Sequence, residues 1–176
     1  MRVLVISDVH GVKTNLEKIR DRYIQLKCDK LIVLGDLYWG NNGIDYDPKY
    51  VRKFLESFKD NLICIKGNCD FQVDLEEEPY PIEKDNVINI ERNIYVTHGH
   101  MYNEKNWIIE NSILIFGHYH IPFIEEIGSN IFINPGSISK PRSENLPSYL
   151  LINENEFTIF DVNDSVISSI KVSQNK

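Results

Sequence analysis

The sequence predicts an α/β fold of two mixed β-sheets packed face to face with helices outside, and three observations carry that expectation. First, the stretches 3–7, 30–34 and 62–66 are short apolar runs rich in Val, Ile and Leu, the pattern of strands buried on both faces. Second, apolar residues at helical spacing lie between them, which gives a β-α-β-α-β order and hence a parallel sheet with right-handed crossovers. Third, the second half of the chain is strand-rich with short connections. The 176 residues suffice for one domain, residues 1–176, with a sizeable core.

Taken in order, the first strand leads into Leu16, Ile19, Tyr23 and Leu26 at helical spacing. After the second strand, Val51, Phe54, Leu55 and Phe58 repeat the pattern, and Asp47-Pro48 marks a helix start because proline lacks only a donor that the first turn leaves unused anyway. Further strands are expected at 87–90, 94–97, 113–116, 131–133 and 149–152, with one short helix over 105–110. Asn153-Glu154-Asn155 reads as a hairpin turn into 157–160, and 166–172 as an edge strand.

Hydrophobic residues at 42% and charged residues at 26% are an ordinary globular mixture, which argues against a disordered chain. A net charge of −7 leaves no broad basic surface, so long nucleic acid is excluded as a partner, whereas small anions are not. Met1-Arg2 runs straight into a short apolar strand without a cleavage-site pattern, and no stretch approaches the ~20 apolar residues of a membrane helix, so no membrane partner is expected. Cys28, Cys64 and Cys69 are an odd number without framework spacing, which fits a reducing, cytoplasmic setting.

All five histidines stand in short clusters: Asp8-Val9-His10, Thr97-His98-Gly99-His100 and Gly117-His118-Tyr119-His120, with Gly35-Asp36 and Gly67-Asn68-Cys69-Asp70 between them. Singly, each has a structural explanation. A strand-end aspartate can cap a turn, and asparagine tolerates left-handed backbone. As a set, imidazoles, carboxylates and an amide oxygen at the ends of successive strands match the needs of a divalent transition metal, and α/β sheets collect ligands in the crevice beyond those ends. Tyr38, Trp39, Tyr102 and Trp107 follow Asp36 and His98 closely and suit a pocket wall, the core or an oligomer contact equally.

The ordered motifs D-x-H, G-D, G-N-C-D, T-H-G-H and G-H-Y-H resemble those of the calcineurin-like metallophosphoesterases across nearly the whole chain. Within that superfamily the chain is most similar to the small YfcE-type phosphodiesterases, through Gly35-Asp36-Leu37-Tyr38, Tyr46-Asp47-Pro48-Lys49, Gly67-Asn68-Cys69-Asp70 and Asn134-Pro135-Gly136-Ser137. The resemblance implies an αββα sandwich and a phosphoric diester hydrolase acting on small phosphodiesters through two divalent metal ions and a bridging hydroxide. It implies Asp8, His10, Asp36 and His120 around one ion and Asp36, Asn68, His98 and His118 around the other, with Asp36 shared. Manganese is the implied metal, while the ligand chemistry also admits Fe, Zn, Co or Ni, no thiolate being placed to favour zinc strongly.

Asn68 and His100 are the expected phosphate contacts, His100 having second-shell packing as its plainer reading. Cys69 and Asp70 occupy the acid-catalysis positions, where the commoner superfamily motif G-N-H-D has a histidine in place of Cys69. Phosphomonoesterase or protein phosphatase activity is the alternative on the same centre. A partner-binding scaffold, as in a retromer subunit of similar fold, is a second alternative, and self-association is left open. A metal amidohydrolase barrel conflicts with the length, since such barrels typically need ~250 residues.

Overall fold

The protein is described here from a computed structural model covering residues 1–40, 43–71, 78–83, 87–91 and 93–173. The three leading apolar runs form β1 (Arg2–Ile6), β2 (Lys30–Val33) and β3 (Leu62–Cys64), paired in parallel. Antiparallel strands β9 (Ser148–Asn153), β10 (Glu156–Asp161) and β11 (Val166–Lys171) extend this sheet from the β1 side, in the order β11-β10-β9-β1-β2-β3. A second mixed sheet has the order β4-β5-β6-β8-β7, from β4 (Ile88–Glu91), β5 (Ile94–Thr97), β6 (Ile113–Phe116), β7 (Pro122–Ile127) and β8 (Asn130–Pro135).

The period of two along the strands decides what each face meets. Val3, Val5 and Ile32 join Val96, Ile115 and Ile133 in a dry aliphatic layer between the sheets. Leu4, Ile6, Leu31 and Val33 turn the other way, onto α1 (Leu16–Gln25) and α2 (Pro48–Glu56). In α2 the Asp47 side chain accepts from the Tyr50 N–H at 3.0 Å and Pro48 opens the first turn, so the helix starts where the sequence places it. Among the described residues no helix is long and apolar enough to cross a membrane.

Both helices pack on the first sheet, and the outer face of the second is covered differently. Leu114, Phe116 and Phe132 are covered by Tyr95, Trp107, Tyr119 and Phe123 instead of by a helix. The helix expected over 105–110 does not form, because asparagine side chains capture the local backbone. Asn103 Oδ1 accepts from Lys105 N at 3.1 Å, Asn106 Oδ1 accepts from Asn103 N at 3.0 Å, and Asn106 Nδ2 donates to Met101 O at 2.6 Å. Trp107 then folds onto Tyr95 with ring centroids 5.2 Å apart and donates its indole N–H to Ser112 Oγ at 2.8 Å. Of the four aromatic residues considered as pocket walls, Trp107 therefore serves packing.

Strand β7 has no counterpart in the expected element order. Its run Pro-Phe-Ile-Glu-Glu-Ile begins with proline and carries two adjacent acids, a pattern that suits only an edge strand, and β7 is the edge. Truncating Trp107, the half-buried cover of the second sheet, to Ala is expected to lower unfolding free energy by about 2–3 kcal/mol. Urea denaturation checks this, and an unchanged midpoint would remove the assigned role.

Candidate metal centre

Beyond Ile6 and Val33 the parallel pairing of β1 and β2 continues as a lacing of two loops. Asp8 N donates to Gly35 O at 3.2 Å, His10 N to Asp36 O at 2.8 Å and Gly11 N to Leu37 O at 2.8 Å. The loop after β3 closes on them: Asp70 accepts from Leu37 N at 2.7 Å and from Gly67 N at 2.8 Å, and Cys69 N donates to Asp36 Oδ1 at 2.8 Å. Gly67 is required here by close approach, since a Cβ on it would lie 2.2 Å from the Asp36 backbone nitrogen.

The second sheet contributes through the ends of β5 and β6. His98 follows β5, and His118 and His120 follow β6. The His118 N–H donates to Asp8 Oδ2 at 3.0 Å, tying the sheets together at the site. The Ser137 and Ser139 hydroxyls donate to the Asp8 carbonyl at 2.9 and 2.8 Å. Five of the seven expected ligands have positive φ: Asp8 at 55°, His10 at 50°, Asp36 at 52°, His118 at 65° and His120 at 61°. Such backbone is uncommon outside glycine, and its concentration in one cleft marks a functional site.

The imidazoles reveal what the cleft is built for. His10 Nδ1 meets Trp39 O at 2.5 Å, His98 Nδ1 meets Leu34 O at 2.6 Å and His120 Nδ1 meets Lys140 O at 2.7 Å. A carbonyl can only accept, so in all three rings Nδ1 carries a proton, and the neutral form of each ring aims its Nε2 lone pair inward. These lone pairs face other acceptors. His10 Nε2 lies 3.3 Å from His120 Nε2, and His98 Nε2 lies 2.9 Å from Asn68 Oδ1. Carboxylates complete the set, with His120 Nε2 to Asp8 Oδ1 at 3.2 Å, His98 Nε2 to Asp36 Oδ1 at 3.5 Å and His10 Nε2 to Asp36 Oδ2 at 3.8 Å. Asp8 Oδ1 is buried without a hydrogen-bond partner among the described residues. Acceptors pointed at acceptors in a buried cleft fit a cation.

Three groups of ligand atoms lie within 4.8 Å of one another: Asp8 with His10 and His120, Asp8 with Asp36 and His98, and His10 with Asp36 and Cys69. Cys69 thus stands nearer the centre than its sequence position suggested. Burial and the Asp36 charge push its thiol up to about 11, so it is protonated at neutral pH. Burial alone would raise the Asp8 carboxyl, but His120 and His98 hold it below the usual carboxylate range. Burial lowers the His10 imidazole. On His120 burial acts the same way, but the Asp8 contact outweighs it and raises the pKa. His118 contacts the His98 ring at 5.2 Å, outside the three tight groups, and His100 lies 5.3 Å from His98 on the same side. Burial, together with neighbouring imidazoles, keeps both below the ordinary histidine value.

Sequence reasoning missed the carbonyls of Leu34, Trp39 and Lys140 that orient the rings, which have no side-chain signature, and the serines under Asp8, whose signal was the Ser137-Ile138-Ser139 repeat. It also left open the structural role of Asp70, whose carboxylate ties two ligand loops. Asp70→Ala is expected to lose about 2–4 kcal/mol of stability, because two buried N–H groups lose their acceptor. Denaturation of the metal-free chain tests this without reference to activity.

Residues 1–156 match the calcineurin-like phosphoesterase superfamily domain. The chain is 29% identical to the phosphodiesterase YfcE of Escherichia coli over 98% of this chain and 99% of that protein. It is 30% identical to the probable metallophosphoesterase YsnB of Bacillus subtilis, over 100% of this chain and 98% of that one. The solved E. coli YfcE structure superposes with a TM-score of 0.89 at 28% identity, covering 98% of this chain and 100% of that one. At 20% identity, vacuolar protein sorting 29 from Cryptosporidium parvum shares the fold with a TM-score of 0.65, covering 97% of this chain and 98% of that one. Motifs, fold and comparisons agree, and the chain belongs to the calcineurin-like phosphoesterase superfamily.

Proposed function

We propose that the protein hydrolyses small phosphodiesters at a dinuclear metal centre. The observation that carries this reading is the set of three Nε2 lone pairs, each fixed by an Nδ1–carbonyl contact and turned toward Asp8, Asp36 or Asn68. Asp8, His10, Asp36 and His120 hold one ion, and Asp36, Asn68, His98 and His118 the other. Asp36 suits the bridge because its two oxygens face opposite histidines, Oδ2 toward His10 at 3.8 Å and Oδ1 toward His98 at 3.5 Å. Two such ions, when bound, polarise the phosphoryl oxygens and supply a hydroxide nucleophile for in-line attack. The imidazole, carboxylate and amide-oxygen ligands suit Mn, Fe, Zn, Co or Ni, and the resemblance to the YfcE-type phosphodiesterases favours manganese among them. Cys28, Cys64 and Cys69 are all free thiols, in keeping with a cytoplasmic setting.

The chain's own residues then divide the remaining work. Asn68 and His100, both beside His98, would contact the phosphoryl group, and Asp70 holds the Asp36 and Asn68 loops in register. Cys69 stands where a general acid would, and its thiol, with a pKa of about 11, is a poor proton donor to a leaving oxygen at neutral pH. That favours diesters with acidic leaving groups over diesters whose leaving groups are poor.

Two substitutions test the proposal. Asp36→Asn is expected to lower bound metal at both positions by elemental analysis and to cut turnover of bis(p-nitrophenyl) phosphate by at least about 10³-fold; two metals per chain with full activity would defeat the bridge assignment. Cys69→His adds an imidazole at the acid position, where such help is typically worth about 10²–10⁴-fold. Rates across phosphoesters of graded leaving-group pKa should therefore depend less steeply on leaving group in Cys69→His than in the wild type. Equal slopes in both proteins would rule out a missing acid.

A further inference from the structure

Beside the centre lies a cleft of about 290 Å³ lined by Tyr38, Trp39, Tyr46, Pro48, Lys49 and Arg52. Its walls grow from the segments that carry the ligands. Trp39 offers its carbonyl to His10, Tyr38 O lies against Gly11, where an added Cβ would approach it to 2.5 Å, and Tyr46 bridges to Val12, two residues past His10. Trp39 is 45% exposed and meets Phe71, 57% exposed, edge to face at 5.9 Å; Phe71 directly follows the Asn68-Cys69-Asp70 loop. Tyr38 is buried and fixed from behind by a hydroxyl contact with Tyr80.

We infer that this cleft is a base-binding subsite, and that the diester it serves carries a nucleobase on one ester arm. The inference rests on the diesterase reading and narrows its substrate. Trp39, Tyr46 and the Pro48 ring give flat apolar walls of the kind on which bases stack, and the volume is at the lower end of ligand pockets. One cation, Lys49, sets the sign of the occupant. Lys49 is exposed and pairs with no acid among the described residues, while Arg52 is held in place by Glu78 through contacts at 3.1 and 2.9 Å. An aromatic ring attached to an anion satisfies both features, and the neighbouring metal centre receives the phosphate. Another depression among the described residues, of about 360 Å³ over α1, is lined by a single aromatic side chain, Tyr149, with the acids Asp21 and Asp164, and carries no such combination.

The test separates binding from turnover. Calorimetry on the metal-loaded chain compares adenosine 5′-monophosphate with ribose 5-phosphate, which differ only in the base. The expected result is at least about tenfold tighter binding of the base-bearing ester, shrinking to within about twofold in Trp39→Ala. In a Trp107→Phe background Trp39 is the only indole left, and its fluorescence should be quenched by the nucleotide and not by ribose 5-phosphate. Kinetically, Trp39→Ala should lower kcat/KM for a nucleoside p-nitrophenyl diester about tenfold more than for methyl p-nitrophenyl phosphate. Equal affinities for the two phosphates, or a preference that survives Trp39→Ala, overturn the subsite. Base-selective binding without hydrolysis of either diester would overturn the diesterase reading while upholding the cleft.

Discussion

Everything at this site depends on backbone carbonyls holding three buried imidazoles by their Nδ1 atoms. A neutral imidazole has one N–H, and once Leu34, Trp39 and Lys140 accept it the inner nitrogen can only accept in turn. Buried acceptors without donors cost about 1–3 kcal/mol each, and left-handed backbone at non-glycine residues costs a similar amount per position. The cleft collects both kinds of cost, at His10, His120 and Asp8 above all. A fold that keeps such an arrangement does so for what the inward lone pairs can bind, with the carbonyl partners fixing each ring before a ligand arrives.

The distance across the centre is set by packing rather than by the ligands. Asp8, His10, Asp36 and Asn68 come from loops of the first sheet, and His98, His118 and His120 from the second. Between the sheets the aliphatic layer of Val5, Ile32, Val96 and Ile115 holds the strand ends at a fixed separation. The His118 N–H on Asp8 Oδ2 pins the two halves where they meet, and within the second sheet the Asn134 amide holds Gly117 O at 2.7 Å. Glycine makes the fit possible at Gly117, where a Cβ would fall 1.8 Å from Ser7 Oγ. Mutations in that apolar layer thus reach the metal site without touching it.

Much of this was legible in the sequence because the relevant signals are local. The Val- and Ile-rich runs name the central strands, 3.6-residue spacing names α1 and α2, and the histidine clusters name the cleft. What was not legible depends on tertiary context. β7 is an edge strand whose proline and paired glutamates read as a loop, and the segment around Trp107 satisfies its backbone through Asn103 and Asn106 rather than through a helix. The ring-orienting carbonyls leave no trace in residue identity. The aromatic residues after Asp36 and His98 looked alike, yet Trp39 lines a cleft beside the centre and Trp107 packs against Tyr95 beneath the second sheet. Only the path of each loop distinguishes them.

The chain's net charge of −7 looks ill-suited to an anionic substrate, and local charge resolves the mismatch. Of the acids at the centre, Asp70 is pushed up to about 6 by burial and is still mostly ionised at neutral pH, but its oxygens are turned to the N–H groups of Gly67 and Leu37. In the proposed dinuclear centre Asp8 and Asp36 would be the main negative charges facing the ions, and two dications would outweigh two carboxylates. A phosphodiester approaching the loaded centre would meet that local excess of positive charge, with Lys49 on the adjoining rim. Surface charge more than a Debye length away, about 8–10 Å at moderate salt, is largely screened. With ions bound, the field at the site would be set by them and their immediate neighbours, and the acidity of the remaining surface would govern solubility more than recognition.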